Sequence, residues 1–63
     1  MYILGEAPKG TSEAFNALED VFGAEEFSSA DAAETIANVL EIGPDAAMGE
    51  FTRLLRAGHI VEA

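Results

Sequence analysis

Near the start of the chain, the stretch YILGEAPKGTS sets two glycines five apart, a lysine and two hydroxyl residues behind a short apolar run. Those residue types suggest phosphate chemistry, because a loop of the form G-x-x-x-x-G-K-[ST] cradles an anion on backbone amides and reaches the outer phosphates with its lysine. Residues Gly5 to Ser12 supply the glycine spacing and the hydroxyl, but Lys9 precedes the second glycine and Thr11 stands where the lysine belongs. Such a loop also requires a parallel sheet with crossover helices and a metal-holding acid on another strand. A chain of 63 residues has little room for them. A strand, a turn and a helix cap is the better reading, with the weak anion affinity of any helix start.

Other candidate chemistry is thinner. Glu19, Asp20, Glu25 and Glu26 gather acidic charge that could attract a hard cation, but they lack the spacing of a calcium loop and read as a solvated acidic surface. His59 is the single histidine, and with no cysteine in the chain a transition-metal site has too few ligands. It is expected at a helix end, against a carbonyl or solvent. Ser12, Ser28 and Ser29 occupy cap-like positions whose hydroxyls already have a structural task, and no motif supplies the acid that would orient His59 toward one of them. The expectation is a protein that is not an enzyme, with no cofactor, no metal and no small-molecule substrate.

Composition narrows the class. A single small domain is expected, since a fold of this size buries only about 60% of its extended surface and is marginal without help. Without cysteine, neither disulfides nor thiolate sites provide that help. Twelve acidic side chains face three basic ones, for a net charge of −9. Self-repulsion on that scale opposes folding at ordinary ionic strength, and concentrated salt relieves it, because the Debye length falls to about 3 Å near 1 M. Abundant Glu and Ala with scarce Lys is similar to the proteome bias of salt-accumulating halophilic archaea; the competing reading is an acidic protein with a basic partner. The opening MYILG is too short an apolar run for a signal peptide or membrane span, so a soluble, cytoplasmic protein without membrane association is expected.

The elements that must position any site follow from periodicity. Tyr2 to Leu4 suits a short strand ending at Gly5 and a Pro8-Lys9-Gly10 turn. Thr11 or Ser12 caps a first helix in which Phe15, Leu18 and Phe22 share a face, with Ala14 and Val21 beside them, before Gly23 ends the pattern. Phe27 then stands before Ser28 and Ser29 as a hydrophobic staple stands before a cap. Ala33, Ile36, Ala37 and Leu40 recur at helical spacing in a second helix ending near Glu41. Gly43 permits a turn and Pro44 suits the first position of a third helix, whose apolar face is Met48, Phe51, Leu54 and Leu55 and whose C-terminal end carries Arg53 and Arg56 before Gly58. His59 to Glu62 reads as a closing strand. Tyr2, Phe27 and Ile60 are apolar residues that a small core would leave partly uncovered.

Residues Asp31 to Glu62, DAAETIANVLEIGPDAAMGEFTRLLRAGHIVE, resemble the core of a winged-helix domain. The L-A-x-x-L-like element of that family's second helix is matched by Ile36, Ala37 and Leu40, and the close of its third helix by Leu54, Gly58, Ile60 and Val61. The resemblance covers about half the chain and implies a mainly α fold of three helices with a minimal sheet. A full wing needs two strands after the third helix and the chain supplies one, so the N-terminal run is expected to pair with the C-terminal strand over His59 to Val61.

In that family the third helix usually enters the major groove of DNA. The outward positions here are Ala46, Gly49, Glu50, Arg53 and Arg56, and two of the three basic side chains lie among them. An arginine there suits a phosphate or a guanine edge. Arginines near a helix C-terminus also simply complement its dipole, and either one can pair with Glu50. Double-stranded DNA bound at high salt, or a second protein or second copy docked without DNA, are the partners the resemblance implies.

Overall fold

The computed structural model describes residues 1–7 and 12–63. Their order is β1 (Tyr2–Leu4), α1 (Glu13–Phe22), α2 (Ser29–Leu40), α3 (Pro44–Arg56) and β2 (Ile60–Glu62). The protein is thus mainly helical with a minimal sheet, in which β1 and β2 run antiparallel with Tyr2 opposite Glu62, Ile3 opposite Val61 and Leu4 opposite Ile60. The N-terminal strand therefore pairs with the C-terminal one. The paired segment of the latter starts one residue later than the sequence suggests, although the Gly5 amide still donates to the His59 carbonyl at 2.8 Å. The anticipated Pro8-Lys9-Gly10 turn, and Thr11 as a cap, lie outside the described residues.

Local sequence sets each helix end. Ser12 caps α1, its hydroxyl accepting from the Phe15 amide at 3.0 Å, and Ser28 caps α2 by accepting from the Asp31 amide at 3.0 Å. Each contact satisfies one amide that a helix start leaves without an internal partner. At α3, Gly43 provides no side-chain cap and Pro44 takes the first helical position. Its C-terminus closes in a Schellman motif: the Gly58 amide donates to the Leu55 carbonyl and the His59 amide to the Leu54 carbonyl, at 3.2 and 2.9 Å. Gly58 sits at φ 82°, where a side chain is strained. That turn launches β2 directly from the helix.

The core gathers Ala14, Phe15 and Leu18 of α1, Ala32, Ala33 and Ile36 of α2, Ala47, Phe51 and Leu54 of α3, together with Phe27 and Ile60. Two expectations are corrected here. Phe27 and Ile60, read as apolar residues left partly uncovered, are each 1% exposed. Phe27 is buried because it does more than precede a cap: it exchanges backbone hydrogen bonds with Tyr2, at 2.8 and 2.9 Å, and acts as a single-residue third strand. Its ring stacks on Phe22 with centroids 4.8 Å apart. Val21 and Met48, placed on apolar faces by periodicity, are exposed, and Ala17 and Ala47 take the inward positions instead. Small residues let the helices approach closely, so the inward stripe turns toward alanine and the longer side chains rotate out.

One helix ends against preference. Glu41 caps α2 at φ 54° and ψ 48°, with its amide on the Ala37 carbonyl. The left-handed region costs a side-chain-bearing residue roughly 1–2 kcal/mol, part of which the greater freedom of glycine in the unfolded chain offsets. Glu41→Gly is expected to raise the unfolding free energy by about 0.5–1 kcal/mol, read from the denaturant midpoint in molar KCl. An unchanged or lower midpoint would show that the Glu41 side chain earns its place through contacts.

Candidate nucleic-acid interface

The third helix is held at three points. Its inward residues Ala47, Phe51 and Leu54 are buried. The Tyr2 ring meets Phe51 edge-on with centroids 5.2 Å apart, which ties α3 to β1. The Schellman turn fixes its far end to β2. With those positions committed, Ala46, Gly49, Arg53 and Arg56 are exposed and Glu50 is half-buried. All five residues read from the sequence as outward-facing therefore lie on the accessible side of α3.

Four of them share a surface groove. Ala46, Gly49, Glu50 and Arg53 line a hollow of about 450 Å³ whose other wall is Leu40 and Ile42, from the end of α2 and the turn that follows it. Arg56 continues the exposed side one turn on and does not line the groove. Sequence reasoning missed the apolar wall; an isoleucine standing just ahead of a Gly-Pro turn was its available signal. Within the groove, Arg53 Nη1 lies 3.4 Å from Glu50 Oε2. A largely solvated pair like this one holds on the order of 0–1 kcal/mol, so a stronger acceptor such as a phosphate can displace the carboxylate. Among the described residues, Arg56 has no such partner.

Charge is distributed unevenly among the helices. On α1, Glu13, Glu19 and Asp20 stand without a base, as do Asp31 and Glu34 on α2, whereas α3 sets Arg53 and Arg56 against Asp45 and Glu50. Both arginines fall in the last turn, where they also complement the helix dipole. The outer side of α3 is thus the helical surface least hostile to an anion.

The remaining candidate groups are occupied structurally. The Gly5 amide is committed to the sheet, and a Cβ at Gly5 would meet the Gly58 carbonyl oxygen at 2.9 Å. The first glycine of the phosphate-like stretch is therefore there to let two backbones touch. Ser12 and His59 both line a small hollow of about 170 Å³ with Glu50 and Arg53. The Ser12 oxygen accepts from the Phe15 amide, while His59 Nδ1 lies 3.2 Å from the Glu6 carbonyl oxygen and its ring meets Phe15 edge-on. Histidine contacting a carbonyl at the helix end matches the expectation from sequence. A wider, open surface hollow of about 650 Å³ is lined by Gly5, Glu6, Ala7, Phe15 and Glu19. Among the described residues, no group of three or more His, Cys, Asp or Glu gathers around a common point, and no helix is long and apolar enough to cross a membrane.

Comparison with protein-family models, with curated proteins and with solved structures finds no significant match for the chain. The functional reading therefore rests on the geometry itself.

Gly5→Ala is expected to destabilise the fold by about 1–3 kcal/mol, the usual result of forcing extra volume into closely packed atoms. Chemical denaturation measures it. Inorganic phosphate at millimolar concentration should leave the melting temperature of the native protein unchanged, whereas a phosphate-dependent rise that Gly5→Ala removes would restore the phosphate-loop reading.

Proposed function

We propose that this chain is a small winged-helix-like domain that binds double-stranded DNA through α3, in a salt-rich cytoplasm. The observation that carries the reading is the outer side of α3: Arg53 and Arg56 are exposed on the helix that balances its acids with bases, while α1 and α2 carry acids alone. The order of three helices followed by a strand supports the family resemblance, with β1 standing where the second strand of a wing hairpin would be. In this reading Arg56 meets a phosphate and Arg53 exchanges Glu50 for a phosphate or a guanine edge, while Ala46 and Gly49 keep the helix surface low enough to approach the groove.

A net charge of −9 repels DNA at low salt. In molar salt that repulsion is screened, and the affinity comes from shape, hydration and a few directed contacts rather than from counterion release. A protein ligand on the same helix is the second reading, favoured by the apolar wall of Leu40 and Ile42.

Retention of genomic DNA fragments in about 1–2 M KCl separates the two. Arg53→Ala combined with Arg56→Ala should abolish retention and leave the thermal midpoint nearly unchanged, because both side chains are exposed. Glu50→Gln should strengthen retention several-fold by releasing Arg53 and removing a like charge. If the native protein retains no DNA at any salt concentration, the protein-ligand reading replaces this one; a double variant that still binds DNA, with Glu50→Gln without effect, would move the contact off α3 and overturn the assignment of that helix.

A further inference from the structure

Glu50 is an awkward residue for a surface that receives an anion. Ala46, Gly49, Glu50 and Arg53 follow one another at i, i+3, i+4 and i+7, which sets them on one side of α3 with the carboxylate in the middle. A helix laid into a groove by that side brings Glu50 to the nucleic acid together with Arg53. Ala46 and Gly49 carry no polar side chain, so Glu50 and Arg53 are the groups of this set that can read a base edge. They are also the two residues that the hollows of about 170 and 450 Å³ have in common.

The two side chains differ in freedom. Arg53 is 79% exposed and has room to turn outward, whereas Glu50 is 26% exposed and has little. An ionised carboxylate only accepts hydrogen bonds. Phosphate oxygens, guanine O6 and N7 and thymine O4 are acceptors as well and repel it; the donors in the major groove are the amino groups of cytosine and adenine. Adenine sets its N7 acceptor beside that amino group, while cytosine offers N4 without one. Cytosine is therefore the base that a fixed carboxylate on this helix tolerates best.

We propose that Glu50 is a specificity-determining residue, which yields Arg53 to a guanine where a cytosine one base pair away takes up the carboxylate. The inference rests on the DNA reading of α3 and names what that helix reads. Residues 50 and 53 are separated by about 4.5 Å along the helix, close to the ~3.4 Å step between base pairs. Arg53 donates to guanine O6 and N7, and Glu50 accepts from cytosine N4. At other sequences the carboxylate faces acceptors and Arg53 stays on Glu50, so the pair opposes indiscriminate binding. Molar salt sharpens the effect, because screening weakens the attraction to phosphates that is common to all sequences.

Selection of duplexes from a random library in about 1 M KCl, with sequencing of what each protein retains, tests the assignment. The native chain is expected to enrich guanine and cytosine on neighbouring pairs, and replacing that C·G pair by T·A should weaken retention roughly tenfold. Glu50→Ala should keep the guanine, lose the cytosine and hold genomic fragments more strongly. Glu50→Gln, which preserves the shape of the side chain, should exchange cytosine for adenine, since an amide both donates and accepts. Arg53→Ala should lose the guanine. Thermal midpoints confirm that each variant is folded. A native protein whose base preferences match those of folded Glu50→Ala and Glu50→Gln overturns this inference and leaves α3 as a DNA-binding helix. A native protein that selects no duplex overturns it together with the DNA reading.

Discussion

The fold depends on the pairing of the chain's two ends. A ladder of three residues per strand is marginal by itself, yet here it is inseparable from the core. Ile60 is buried among the helices, Tyr2 places its ring on Phe51 while its backbone holds Phe27, and Gly5 lets the strand pass close to the turn that ends α3. The same few residues therefore fix where α3 begins its approach to the sheet and how the connection between α1 and α2 lies. Loss of the ladder would release Phe27 from the backbone contact that buries it, and with it a contribution of roughly 1.5–3 kcal/mol from that side chain alone.

Against that clasp stands the charge. A core in which Ala14, Ala17, Ala32, Ala33 and Ala47 fill inward positions packs closely but removes less apolar area per residue than one built from leucine. Repulsion among the exposed carboxylates is resisted mainly by Leu18, Phe27, Ile36 and Ile60, the largest fully buried side chains. Screening by salt lowers the opposing term without changing any contact. An acidic surface over a lean core is therefore self-consistent in a concentrated electrolyte and precarious outside one.

Much of the architecture is legible in the sequence because its signals are local. Ser12, Ser28, Pro44 and Gly58 mark helix boundaries through chemistry confined to one turn, and the structure uses each of them as such. What periodicity could not decide was which of two adjacent residues turns inward: Val21 and Met48 are apolar enough for the core, but spacing between helices selects alanine. The burial of Phe27 was hidden for a different reason, since it depends on a partner 25 positions away in the chain, Tyr2. The five outward residues of α3 could be read by rotating the helix away from its stripe. The wall formed by Leu40 and Ile42 could not, because it belongs to the angle between two helices rather than to either one.

The two arginines on α3 bring these lines together. Complementing the helix dipole requires only that a base lie in the last turn, and one is enough. Placing Arg53 and Arg56 three residues apart sets like charges side by side on an exposed surface, an arrangement that costs an isolated helix a few tenths of a kcal/mol. A chain with only three bases among twelve acids gains more from scattering them as local counterions. Here two sit within one turn and both are exposed, and among the described residues the one carboxylate paired with them, Glu50, is half-buried and engages Arg53 alone. Stability of the monomer does not require that concentration of positive charge, and it is the feature of α3 that the proposed contact with an anionic surface would use.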